Sequence, residues 1–377
     1  MTHVLMIARS YPTEQYKTHG IFEADYAHGL AKAGIKVSFI ALDMRSFLRK
    51  RPFGVRVSKE GEINLYRIDW PIGNLPKGIY YPIVYKALKK MYNRVVKEQG
   101  KPDLLHAVFT DYAYLAALLK KETGIPLYVC EPNSHINQKV IEPSLKEAAR
   151  IAYNTADVVQ AVSPRFQTKL KEEFGVDTVN IPILPSLGTF HYSNEPPAKK
   201  IVSTGRLTKE KGMFELVDAF IRFRKETPEY VFHIFGGGDA HNELEQKIRA
   251  ATMEDCIFLR GIVDRQVIAK EYEDAQFFAL CSHHETFGLS YIEAWASGLP
   301  VLATRCGGPE HLFRDENGRY VPVGDTDAIY EAMNEMATTV FNRAHIAQWA
   351  HQEFSEEKII GDIIEQYNRI LKKGECQ

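Results

Sequence analysis

Short apolar runs alternate with stretches of helical spacing along this 377-residue chain, and the alternation occurs twice with a proline-rich break between. In the first stretch the runs 4–8, 37–42, 104–108, 127–130 and 158–162 read as buried strands, with helices predicted at 22–33, 112–122, 141–153 and 164–173. The pattern breaks at Ile181-Pro182-Ile183-Leu184-Pro185 and again at Asn194-Glu195-Pro196-Pro197, where proline removes backbone donors and resists helix. It resumes with strands predicted at 200–204, 231–235, 257–259, 277–280 and 300–304. Helices are predicted near 213–224, 241–250, 265–274, 289–297 and 326–338, with a last one at about 355–371. Strands separated by helices imply parallel sheets covered on both faces. The expected fold is α/β, two doubly wound domains facing each other across a cleft. The first would span 1–188 and the second 199–354, with a C-terminal helix, 355–377, packing back on the first.

Hydrophobic residues at 45% and charged residues at 25% exclude a disordered chain or a disulfide-stapled miniprotein. The five cysteines (130, 256, 281, 306 and 376) are scattered and form no C-x-x-C, which reads as reduced thiols and no zinc site. The apolar run before Arg9 is too short for a signal peptide, and no stretch approaches the roughly 20 apolar residues of a membrane span. A cytoplasmic protein is expected. Charge is unevenly shared: residues 1–188 carry 26 Lys and Arg against 18 Asp and Glu, a net +8, and the remainder carries −9. A basic first half points to an anionic partner, whether nucleic acid, a phosphorylated acceptor or a membrane surface.

In open parallel sheets ligands sit beyond the carboxyl ends of strands, so the loops there carry the chemistry. After 200–204 comes Gly205-Arg206, then Lys211-Gly212 opening a helix. Arg206 and Lys211 could converge on a diphosphate, or could be a solvated basic loop. Gly236-Gly237-Gly238 follows the next strand without a complete G-x-G-x-x-G. The richest stretch runs from Cys281 to Gly298. Glu285 falls on the strand–helix loop and Glu293 about one turn into the helix, whose first amides, near Gly288, Leu289 and Ser290, could face an anion. Two such carboxylates can accept hydrogen bonds from hydroxyls. Two acids this close in sequence rarely flank one scissile bond, which argues against a glycoside hydrolase.

The combination resembles the family 4 retaining glycosyltransferases of the GT-B architecture, two Rossmann-like domains. It rests on Gly205-Arg206 with Lys211-Gly212, on Glu285 and Glu293 in E-x7-E spacing within ETFGLSYIEAWASGLPVLAT, and on Gly307-Gly308-Pro309-Glu310. The first half shows the fainter YPTEQYKTHGIF, KPDLLHA and ADVVQAVS. The resemblance implies a nucleotide-diphosphate sugar donor, a UDP-sugar in the first instance, and no cofactor or metal. It puts the diphosphate on Arg206 and Lys211, the ribose on Glu293 and the donor sugar by Glu285. Gly20 would close over the diphosphate, and Gly205 with Phe287, Gly288, Leu289 and Ser290 completes the donor-binding set. A glycan or lipid-linked acceptor of the bacterial envelope is implied. A nucleotide-sugar epimerase, or a non-catalytic nucleotide-sugar-binding protein of the same fold, is the alternative.

The acceptor half departs from the family pattern. Only His106 of an H-x-H is present, with Val108 in the second place; E-H is Glu131-Pro132, and P-N-G is Pro185-Ser186-Leu187. His106 and His135 are the acceptor-side candidates. Asp325-Thr326-Asp327 looks like a metal-binding D-x-D but precedes a helical pattern, so a cap is expected. Adjacent His283 and His284 do not space as metal ligands. No nucleic-acid motif accompanies the basic first half. A basic amphipathic helix at 81–97, with Arg45, Arg49, Lys50, Arg51 and Arg56, could instead meet an anionic membrane surface.

Overall fold

The computed structural model describes residues 1–16, 19–46 and 53–375, without the side chains of 373–375. Cys376, and Arg49, Lys50 and Arg51 of the basic cluster, lie outside the described residues. The chain forms two compact units, Met1–Leu184 with Glu356–Gln377, and Pro185–Ser355.

The first unit runs β1 (His3–Ala8), α1 (Ile21–Lys32), β2 (Lys36–Met44), β3 (Gly54–Glu60), β4 (Ile63–Trp70), α2 (Lys77–Gln99), β5 (Leu104–Val108), α3 (Thr110–Thr123), β6 (Leu127–Glu131), α4 (Pro143–Thr155), β7 (Val158–Ala161), α5 (Pro164–Phe174) and β8 (Val179–Asn180). The sheet order is β3-β4-β2-β1-β5-β6-β7-β8. Strands β1, β5 and β6 are buried along their whole length, which is why they read as unbroken apolar runs. One expectation needs correction: the sheet is not parallel throughout, because β3 and β4 form an antiparallel hairpin at its edge. Val55 to Glu60 are all exposed there, so the segment lacks the apolar run that marks a buried strand.

The second unit runs β9 (Lys200–Thr204), α6 (Met213–Glu226), β10 (Val231–Phe235), α7 (His241–Ala250), β11 (Ile257–Gly261), α8 (Arg265–Glu273), β12 (Phe277–Leu280), α9 (Leu289–Ala296), β13 (Val301–Thr304), β14 (Gly318–Val321), α10 (Thr326–Thr338) and α11 (Arg343–Glu353). Its six strands are parallel, in the order β11-β10-β9-β12-β13-β14. The order reverses at β9, whose neighbours are β10 and β12, creating a switch point between the β9 and β12 ends. The units divide at Leu184/Pro185 rather than at 188 and 199. Segment 185–198 belongs to the second unit because Leu187 is buried and Phe190, wholly buried, packs its ring 5.8 Å from that of Tyr272.

The last helix, α12 (Glu356–Glu375), returns to the first unit. Ile360 lies against Gly29 of α1, where a Cβ would approach its side chain to 2.8 Å, and Lys32 bridges to Glu356 at 2.8 Å. No helix among the described residues is long and apolar enough to cross a membrane.

Candidate active site

The carboxyl ends of β9 and β12 carry the residues singled out in the second half. The β9 loop passes through Gly205, exposed Arg206 and a short turn, Lys209–Lys211, before Gly212 opens α6. Gly212 has φ +62, and a Cβ there would run into the carbonyl of Cys281, so the two loops touch through backbone. A second tie comes from His283, whose backbone amide donates to the carbonyl of Glu210 at 2.8 Å and whose ring bonds Glu215 at 2.9 Å. Through these ties Lys211 reaches across the switch point and bonds Glu285, Nζ to Oε1, at 2.5 Å. Glu285 also accepts from Ser282 at 3.0 Å. The pair is mostly buried, at 18% and 12% side-chain exposure, and strengthened accordingly. Arg206 is exposed on the same loop, five residues before Lys211, and is a second cation there.

Helix α9 starts behind Gly288, so the amides of Leu289 and Ser290 occupy its first turn. One turn further, Glu293 is 90% buried, and burial pushes its carboxyl above the ordinary range while Arg265 pulls it back. Arg265 Nη2 donates to Glu293 at 2.8 Å. Sequence reading missed Arg265, although a basic residue opening the helix after a parallel strand was a usable signal. The ring of Phe287 is core: the residue is 1% exposed and packs on Phe354, ring centroids 6.0 Å apart. Asp325 accepts from the Ala328 amide at 2.9 Å, capping α10, and Asp327 pairs with Arg222. Glu310 accepts from the Gly307 amide at 2.8 Å and so fixes the turn after β13.

In the first unit Gly20 caps α1 at φ +80, and a Cβ there would stand 2.6 Å from the Ser10 carbonyl. Only glycine lets the helix start so close to the β1 loop. His106 is not at a surface that could meet an acceptor. It is fully buried in β5, its Nδ1 is 2.6 Å from the hydroxyl of Tyr367 on α12, and burial lowers its pKa to about 3. The imidazole is therefore neutral core. His135 is exposed on the loop after β6, its amide bonded to Asn133 at 3.0 Å. The groups that do gather at the β1, β5 and β6 ends are others. Arg9 lies 4.5 Å over the ring of Phe109 and contacts buried Glu23 at 3.4 Å. Phe109, directly after β5, holds φ +71 without being glycine, a strained conformation at this sheet's own switch point. Glu131, also buried, accepts from Thr110 and Tyr153 at 2.7 Å and from the Asn133 amide at 2.9 Å. Burial raises both Glu23 and Glu131 to about 7, against these partners.

The family model for glycosyltransferase family 4 matches residues 24–186, and that for glycosyl transferases group 1 matches 191–350, one on each half. The chain belongs to family 4 of the glycosyltransferases. This glycosyltransferase is 26% identical to TuaC of Bacillus subtilis, assigned to teichuronic acid biosynthesis, over 96% of this chain and 92% of TuaC. It is 28% identical to the GDP-mannose-dependent α-(1-6)-phosphatidylinositol monomannoside mannosyltransferase of Mycolicibacterium smegmatis, over 65% of this chain and 70% of that one. In structure it matches sucrose-phosphate synthase from Thermosynechococcus elongatus with a TM-score of 0.81 at 19% identity, covering 99% of this chain and all of that one. HepE from Anabaena, solved with UDP and glucose, gives 0.73 at 18% identity, over 98% of this chain and all of HepE. The two-unit layout of largely parallel, Rossmann-like sheets is thus the GT-B fold.

Proposed function

We propose that this glycosyltransferase moves a sugar from a nucleotide-diphosphate sugar to a hydroxyl of a bacterial envelope glycan, with retention of anomeric configuration and without a metal. The observation that carries the reading is the Lys211–Glu285 pair across the β9–β12 switch point, with Glu293 one turn into α9, the helix that follows. When the bond from the anomeric carbon to the diphosphate breaks, negative charge grows on the departing oxygens. Lys211, Arg206 and the first amides of α9 meet that charge and lower the barrier. Glu293 accepts hydrogen bonds from the ribose hydroxyls, with Arg265 opposing the upward shift that burial imposes on its carboxyl. Glu285 orients the sugar's hydroxyls and holds Lys211 in place before the donor arrives. The acceptor oxygen then bonds the same face of the sugar and gives up its proton to the departing diphosphate oxygen.

UDP is the expected nucleotide, since HepE was solved with it, and GDP is the second choice because the mycobacterial relative is GDP-mannose-dependent. The test is the product. Transfer is expected to continue in excess EDTA, and proton NMR is expected to show the donor's own anomeric configuration. Turnover that stops in EDTA and returns with magnesium, or an inverted linkage, overturns the mechanism.

A further inference from the structure

The β3–β4 hairpin and α2 together shape a surface that the transfer reaction does not use. Val55 stands opposite Ile68 in the hairpin register. Val55, Ile68, Trp70, Ile83, Ala87 and Met91 line an apolar groove of about 310 Å³, with Lys86 and Lys90 at its rim. More apolar surface continues the groove outward. Phe53 is 60% exposed, Val55 42%, Val57 39% and Ile79 53%. Val57 shares the face of Val55 on the strand, and Ile79 lies one turn before Ile83 on the helix. Side chains this apolar are not left together in water without a partner.

Charge identifies the partner. Helix α2 carries six Lys and Arg against one acid, Glu98. Several of those cations are already occupied: Lys77 by Asp111, Lys89 by Glu122 and Arg94 by Glu98. Lys86 and Lys90, the two beside the groove, have no carboxylate partner among the described residues. The arginines expected to help are withdrawn, Arg45 to Asp43 and Arg56 to Asp69, each at 2.6 Å. An apolar floor with unpaired ammonium groups at its edge repeats the order of a lipid leaflet, acyl chains beneath phosphates. We propose that this face docks on an anionic bilayer. Phe53, Val55, Val57 and Ile79 enter the acyl boundary, and Lys86 and Lys90 meet lipid phosphates.

Co-sedimentation of the full chain with phosphatidylcholine vesicles, with and without phosphatidylglycerol, tests this. Binding is expected only with the anionic lipid, and to weaken as salt rises towards about 1 M, where the Debye length falls to about 3 Å. The double variant Lys86→Glu/Lys90→Glu should lose at least ~30-fold in affinity. Val55→Asp/Val57→Asp should lose at least ~10-fold, since both side chains leave the acyl region. Should that pair unsettle the hairpin, Val57→Asp alone carries the apolar arm. Absence of vesicle binding by the native chain overturns the proposal, as does either double variant binding like the native chain. Capture of an acidic protein without vesicle binding overturns it too and gives the face to that protein. Stabilisation by nucleotide should persist in every variant, so failure here leaves the transfer reading standing.

Discussion

Replacing Lys211 with alanine is expected to lower kcat/KM for sugar transfer by about 10–100-fold, the loss of one charge-assisted contact of roughly 1.5–3 kcal/mol. Lys211 is the cation that bridges the two loops at the switch point, 2.5 Å from Glu285 and largely shielded from water. In that setting a cation on a departing diphosphate counts for more than one in bulk solvent. Lys211→Arg should recover part of the loss, because charge is kept while geometry changes. Steady-state kinetics on a variant whose thermal unfolding matches the native chain makes the check. Undiminished transfer by Lys211→Ala removes Lys211 from the reaction.

The second large effect is expected from Gly212→Ala. Two costs coincide there, a left-handed φ of +62 and a Cβ placed on the Cys281 carbonyl. Since the β9 and β12 loops touch at this point, they must separate, and Lys211 moves away from Glu285. A loss of roughly 2–4 kcal/mol in stability is expected, together with weakened nucleotide binding. Gly124→Ala is the control. Its φ is +71 with nothing within 4 Å of the added Cβ, so it should cost only about 1–2 kcal/mol, the left-handed penalty alone. Equal losses in the two variants, with nucleotide binding intact in both, would mean that the loops are not held by that contact.

Strands buried on both faces were the most legible part of the fold. The runs 200–204, 231–235 and 277–280 coincide with β9, β10 and β12 because parallel strands under two helical layers are built mostly of apolar residues. What escaped lies at the edges. The β3–β4 hairpin mixes valines with Arg56, Lys59 and Glu60, and β14 is four residues long with three half-exposed, so neither has a run to detect. Helix α11 escaped as well. Site residues were legible where one loop carries them, as with Gly205 to Gly212 and Cys281 to Ser290. Pairings between distant segments were not. Nothing near His106 announces that Tyr367, 261 residues later, covers it, and nothing near Glu293 names Arg265.

The most direct measurement is a thermal-shift series with UDP, GDP and their sugar conjugates on the native chain, Lys211→Ala and Glu293→Gln. A bound nucleotide sugar at about 100 times its Kd should stabilise the native chain by about 2.7 kcal/mol. Both variants should need higher concentrations to reach the same shift, Lys211→Ala through the diphosphate and Glu293→Gln through the ribose. No stabilisation of the native chain by any nucleotide or nucleotide sugar, or an equal response in all three proteins, would contradict a donor site at the β9–β12 switch point.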